Sequence, residues 1–158
     1  MKTIFAAMAA CLLPAAGLAQ DHAAHEAPAG LSVSDAYVRS SNPKTGAAYM
    51  MLQIGGQTAC TLAGITTDAA DMAEVHTSVE ENGVARMVAA DPVVLQPGGM
   101  QELSPGGDHL MLMGLKAPLK DGDSVALTLD FGDCGTVDLT APVDNRRKPM
   151  GGASAHAH

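Results

Sequence analysis

The chain has no tryptophan, and aromatic residues make up only 3% of it. A surface on which nucleic-acid bases stack needs several rings, so nucleic acid is not an expected partner. Basic residues are scarce too. Nine Lys and Arg stand against seventeen Asp and Glu, a formal charge of −8 with a pI near 5.0. Such a chain is repelled by a phosphate backbone or an anionic bilayer. No apolar run approaches the ~20 residues of a membrane-spanning helix, so no membrane insertion is expected. There is no Cys-x-x-Cys, which removes a thioredoxin-like redox role. No 3.6-residue apolar repeat persists beyond a turn or two, which excludes a helical bundle. No nucleophile–base pair or paired-carboxylate motif stands out, so the protein is not expected to be an enzyme.

What is present begins with an export signal over residues 1–19. Lys2 supplies the positive start, Ile4 to Leu13 the short apolar region, Pro14 the break, and Gly17-Leu18-Ala19 the small residues for cleavage, after Ala19 or after Gln20. Met8-Ala9-Ala10-Cys11 is a poor lipobox, so a soluble periplasmic protein is expected, and we expect a monomer. In an oxidising compartment the two cysteines left after cleavage, Cys60 and Cys134, are expected to pair as a stapling disulfide. Cleavage after Ala19 would expose Gln20-Asp21-His22, whose amine, two amides and His22 imidazole form a square-planar Cu(II) or Ni(II) chelate. Cleavage one residue later, or cyclisation of Gln20, abolishes it.

Residues 20–30 are small, polar and aperiodic, and read as a flexible arm. From Leu31 short apolar runs alternate with turn signals: Leu31 to Arg39, Ala47 to Ile54, Cys60 to Ile65, Ala73 through Val79, Val84 to Ala89, Val93 to Leu95, Met100 to Leu103, Leu110 to Leu115, Val125 to Phe131 and Val137 to Leu139. Ser40 to Gly46 reads as a turn or loop, and Asp68 to Ala73 as the one place for a short helical turn. Many short strands with regular turns predict an all-β domain over 31–143, an antiparallel Greek-key sandwich or barrel. Residues 144–158 read as a flexible tail containing Met150, His156 and His158.

Within the domain, four residues stand out: His76, then ten residues, Met87, then twenty-one, His109, then one, Met111. Asn82-Gly83 is a strong two-residue hairpin signal. With that pair at the turn, Glu81 faces Val84, Ser78 faces Met87 and His76 faces Ala89, so His76 and Met87 share a face as diagonal neighbours. His109 and Met111 share a face of their own strand, with Leu110 and Leu112 turned away. A third strand laid beside the hairpin would unite all four; the spacing permits that step without requiring it. Two imidazoles and two thioethers are soft donors that suit Cu(I) better than zinc, calcium or magnesium. Thioethers need no deprotonation and cannot be lost to disulfide formation, and the imidazoles must be neutral, so binding should weaken in acid. A methionine on a strand is more often core filler, but the only two histidines between the tails both fall in this pattern. The C-terminal Met150, His156 and His158 would add a second, weaker copper site, suited to Cu(II). An electron-transfer cupredoxin needs a Cys close to a His and a Met on one loop, and neither cysteine lies there. A copper-sequestering or resistance protein with the same site stays open.

The spacing and its surroundings resemble the periplasmic PCu(A)C copper chaperones. Asp35-Ala-Tyr-Val-Arg39 and Gly46-Ala-Ala-Tyr-Met50 are similar to that family's opening, and Glu74-Val-His-Thr77 to its first ligand strand. Leu95-x-Pro-Gly-Gly-x-x-Glu-Leu103 and Pro105 to Leu115 resemble the middle and the second ligand strand. The resemblance implies a cupredoxin-like barrel that holds Cu(I) through His76, Met87, His109 and Met111 at an exposed edge. It also implies delivery of copper to the Cu(A) centre of cytochrome c oxidase subunit II, together with Sco-type proteins. Two features depart from it: Thr77-Ser78 follows the first His where some relatives have an extra Met, and the two cysteines are not part of the signature.

Overall fold

The computed structural model describes residues 30–147, the side chain of Ser41 excepted. The expected signal, nearly all of the N-terminal arm, and the tail from Lys148 onward lie outside the described residues. Strands occur at Leu31–Asn42 (β1), Thr45–Ile54 (β2), Cys60–Thr61 (β3), Gly64–Thr66 (β4), Ala70–Glu81 (β5), Val84–Ala89 (β6), Val94–Leu95 (β7), Met100–Leu103 (β8), His109–Leu115 (β9), Ser124–Asp130 (β10) and Thr136–Pro142 (β11). Among the described residues the only helical element is a single 3₁₀ turn at Gly132–Cys134.

Strict alternation makes these strands amphipathic. In β10 Val125, Leu127 and Leu129 are buried, and in β11 Val137, Leu139 and Ala141. β2 contributes Ala48, Met50, Leu52 and Ile54. These faces meet in one apolar core between a large sheet of order β1-β2-β9-β5-β6, to which β8 is added on β2, and a smaller sheet of order β11-β10-β4. Named strands pair antiparallel throughout, as alternating, one-face-buried strands favour.

The β5–β6 hairpin has the predicted register: His76↔Ala89, Ser78↔Met87 and Glu81↔Val84. Asn82 (φ 53°) and Gly83 (φ 78°) both take the left-handed conformation of a two-residue turn that matches strand twist.

Two local expectations are corrected and a third is narrowed. Asp68 to Ala73 is not a helical turn, because β5 already begins at Ala70 and pairs with β9 through Ala70↔Leu115, Met72↔Met113 and Ala73↔Leu112. An isolated helical turn gains too few hydrogen bonds to compete with a ladder. Gly114 (φ 69°) permits this pairing, since a Cβ there would lie 2.6 Å from Asp71 Oδ2. The turn expected within Ser40 to Gly46 is there but tight, with only Pro43 and Lys44 between the strands. β1 runs to Asn42 and β2 starts at Thr45, and Asn42 Oδ1 accepts hydrogen bonds from the Lys44 and Thr45 amides, both at 2.9 Å. Cys60 to Ile65 is two strands: β3 pairs with β7, whereas β4 pairs with β10.

The folded unit also reaches past residue 143. The Asp144 amide donates to Val38 O (2.9 Å), Asn145 Oδ1 accepts from the Ser40 amide (2.7 Å), and the Arg147 guanidinium lies 4.3 Å from the Tyr37 ring centroid.

Cys60 and Cys134 are joined, 74 residues apart in sequence, tying β3 to the 3₁₀ turn. Closing a loop of that length removes unfolded-chain freedom worth about 4 kcal/mol in a chain-entropy estimate. Reducing the bond, or the double change Cys60→Ala with Cys134→Ala, should lower unfolding free energy by about 2–4 kcal/mol, read from urea denaturation with and without reductant.

Candidate metal centre

The centre is built on three neighbouring strands, β9, β5 and β6. β9 lies between β2 and β5, and its register with β5 sets His109 directly opposite His76, with Glu74 opposite Met111. Leu110 and Leu112 are fully buried on the far face, which fixes the parity of β9 and turns His109 and Met111 to the near face. The two imidazole centroids are 6.5 Å apart.

Burial grades across the site. His109 is 2% exposed, the His76 side chain 16%, and Met87, on the edge strand β6, 61%. Met111 is half-buried. The expectation that all four side chains sit at an exposed edge therefore needs correction: only Met87 does. Tyr49 of β2 and His76 of β5 flank the His109 ring, at 6.1 and 6.5 Å between centroids.

The His109 ring is held in one tautomer. Its Nδ1 lies 2.9 Å from the Gly107 carbonyl, which only accepts, so Nδ1 carries the hydrogen and Nε2 keeps its lone pair in the neutral ring. A metal-binding imidazole is commonly oriented in this way. Nε2 of His109 and Nε2 of His76 are both buried with no hydrogen-bond partner among the described residues. Glu74 Oε2 approaches His76 Nε2 only to 3.5 Å, beyond a well-formed hydrogen bond. A buried unpaired polar atom costs about 1–3 kcal/mol, and two on facing rings call for a common ligand.

Met87 and Met111 line one open cleft of about 250 Å³, with Arg39, Ser40, Tyr49 and Asn145 among its other walls. The ladder puts Met87 one level from the histidine pair, opposite Ser78, and Met111 one level to the other side, opposite Glu74. Two imidazole nitrogens flanked by two thioethers is a donor set for a soft ion. Among the described residues no three His, Cys, Asp or Glu side chains converge as a harder or borderline ion would need. His22, Met150, His156 and His158 lie outside the described residues.

Sequence reasoning did not single out three neighbours of the site. Tyr49 stands 6.1 Å from His109 and 5.0 Å from Tyr37, centroid to centroid, because Ala48 pairs with Leu110 and Tyr37 with Tyr49. The Gly107 carbonyl comes from an ordinary Pro-Gly-Gly turn that carries no chemical signal. Glu74 lies two residues before His76, so the period-2 rule that paired His109 with Met111 would have found it.

Comparison with known proteins now has a geometry to refer to. The architecture and the exposed thioether define a class: a small cupredoxin-like domain presenting soft donors on one face of its larger sheet. The PCuAC domain of PmoF1, in its apo form, superposes with a TM-score of 0.65 at 24% identity, covering 77% of this chain and 98% of that domain. DR1885 of Deinococcus radiodurans, solved with Cu(I), is 31% identical with a TM-score of 0.57, covering 73% of this chain and 80% of that one. "Putative lipoprotein Lxx21020" of Leifsonia xyli subsp. xyli is 36% identical over 115 residues, 72% of this chain and 69% of that protein. The LpqE-like family, described as "Putative lipoprotein LpqE-like", matches residues 31–143, and the chain belongs to this family; PCuAC domains are among its structural neighbours.

Burial raises the ionisation of Tyr37 above its usual value of 10.0, against the lowering effect of the Arg147 and Arg39 charges, and burial likewise raises Tyr49. The folded state thus disfavours both phenolates. Their contribution to stability is fully present below about pH 10 and is lost as pH rises from there through the raised folded-state values. Ultraviolet titration should show both phenols ionising above 10.0 in the folded protein and at the ordinary value in urea.

Proposed function

We propose that the protein is a periplasmic copper chaperone that binds Cu(I) through His76, Met87, His109 and Met111 and passes it on. The observation that carries this reading is the pair of buried Nε2 atoms without partners among the described residues, on directly opposed histidines that share a sheet face with two methionines. DR1885, a relative at 31% identity, has been solved with Cu(I), which supports copper over other soft ions. The proposal is for binding and transfer rather than catalysis. A chaperone must release its cargo, and the gradient of burial suits release. His109, anchored by Gly107, is the fixed end, while Met87 is the donor an incoming partner reaches first. That exposure favours delivery over sequestration.

Export to the periplasm fits the leader sequence and the lipoprotein description of the Leifsonia relative. Among the described residues no helix is long and apolar enough to cross a membrane. As client we propose the Cu(A) centre of cytochrome c oxidase subunit II, reached with a Sco-type protein. For the C-terminal Met150, His156 and His158 we propose a weaker accessory site for Cu(II).

A Cu(I) competition titration tests the main site. Met87→Ala should weaken binding by about 10-fold and His109→Ala by about 100-fold, because losing a ligand costs at least what losing an orienting contact costs. Equal affinity in all three proteins would overturn the assignment. Truncation after Lys148 should leave Cu(I) stoichiometry unchanged and remove one weakly bound Cu(II), measured by equilibrium dialysis.

A further inference from the structure

Methionine is usually buried as adaptable core filler. Of the seven methionines among the described residues, only Met50 is in the core. Met51, Met72, Met87, Met100, Met111 and Met113 all fall at register positions on the outer face of the large sheet, the face that carries His76 and His109. Met72 of β5 and Met113 of β9 stand directly opposite one another. Met113 follows Met111 by two residues, so the pair is the next same-face step along β9, leading away from His109. Met72 is 51% exposed, and neither Met72 nor Met113 packs against the core cluster. The main copper site as described uses neither.

We propose, resting on the copper reading above, that Met72 and Met113, with Met111 as a shared third donor, form a second and weaker Cu(I) site. Directly opposed strand residues have Cα atoms about 4.5–5.5 Å apart, and same-face neighbours along one strand are about 7 Å apart. Each methionine has three rotatable side-chain bonds, so thioethers at that spacing can turn their sulfurs onto one ion. Three neutral sulfur donors suit Cu(I) and offer nothing to a hard or borderline cation, so the site needs no His, Cys, Asp or Glu. With no imidazole among its donors, it holds copper less tightly than the histidine pair does. Met111 belongs to both sites, so an ion leaving the two histidines stays on a thioether as it moves one step along β9.

The test is an anaerobic Cu(I) titration of the full chain with isotope-labelled methionine methyl groups, followed by nuclear magnetic resonance. The first equivalent should shift the Met87 and Met111 methyls. Further Cu(I) should shift Met72 and Met113, and Met111 again. The double variant Met72→Leu with Met113→Leu keeps apolar volume and removes both sulfurs. In it the first phase should keep its affinity within about threefold, and the second should weaken by about 10-fold or more, the least that losing ligands costs. Excess Cu(I) that leaves the Met72 and Met113 methyls in place, or moves only that of Met150, would overturn the proposal. So would a second phase that survives unchanged in the double variant. A shift of Met72 and Met113 without Met111 would overturn the shared donor. Failure of the first equivalent to move Met87 and Met111 is a separate result that removes the main-site reading, while the Met72 and Met113 methyls still decide the second site.

Discussion

The pairing of β9 with β5 is the constraint on which the rest depends. Its register sets His76 opposite His109, and it is enforced from the other face of the sheet. Leu110 and Leu112 of β9 are fully buried, and a slip by one residue would exchange them with His109 and Met111. Burying each leucine stabilises the fold by about 1.5–3 kcal/mol, so the apolar core holds the polar face in place. The hairpin at Asn82-Gly83 carries that register outward to Met87, and β2 carries it inward to Tyr49.

Two unpartnered imidazole nitrogens in a half-dry site are unfavourable unless something binds them. The protein accepts that cost on a rigid sheet and does not relieve it with internal hydrogen bonds. The Gly107 carbonyl takes the Nδ1 hydrogen of one ring, which leaves the lone pair on its buried Nε2. The thioethers then stand at two depths, Met111 half-buried and Met87 largely in solvent. Holding and release can thus reside in one donor set, with the fixed donors on an inner strand and the yielding one on an edge. The disulfide between Cys60 and Cys134 staples the far side of the domain and leaves the soft-donor chemistry to sulfur that does not oxidise into bridges.

Much of this was legible in the sequence, and the reason is strand geometry. Alternation and an Asn-Gly turn require only neighbouring residues, so the hairpin register and the common face of His109 and Met111 could be read directly. So could the absence of regular helix across the domain. The misreadings came where a segment is decided by a distant partner. Asp68 to Ala73 looks helical by itself, yet from Ala70 it is strand because β9 lies beside it. Cys60 to Ile65 is one apolar run in sequence but bonds to two different strands, β7 and β10.

By itself, then, the sequence determined the strand content, the parity of each donor and the soft chemistry of the set, because period-2 alternation and residue type are local properties. Only the tertiary structure decided that β9 lies between β2 and β5, that His109 is buried while Met87 is not, and that Gly107, Tyr49 and Glu74 stand beside the donors. Strand order and burial depend on contacts between residues tens of positions apart. No local pattern encodes which strand will take the neighbouring place in the sheet.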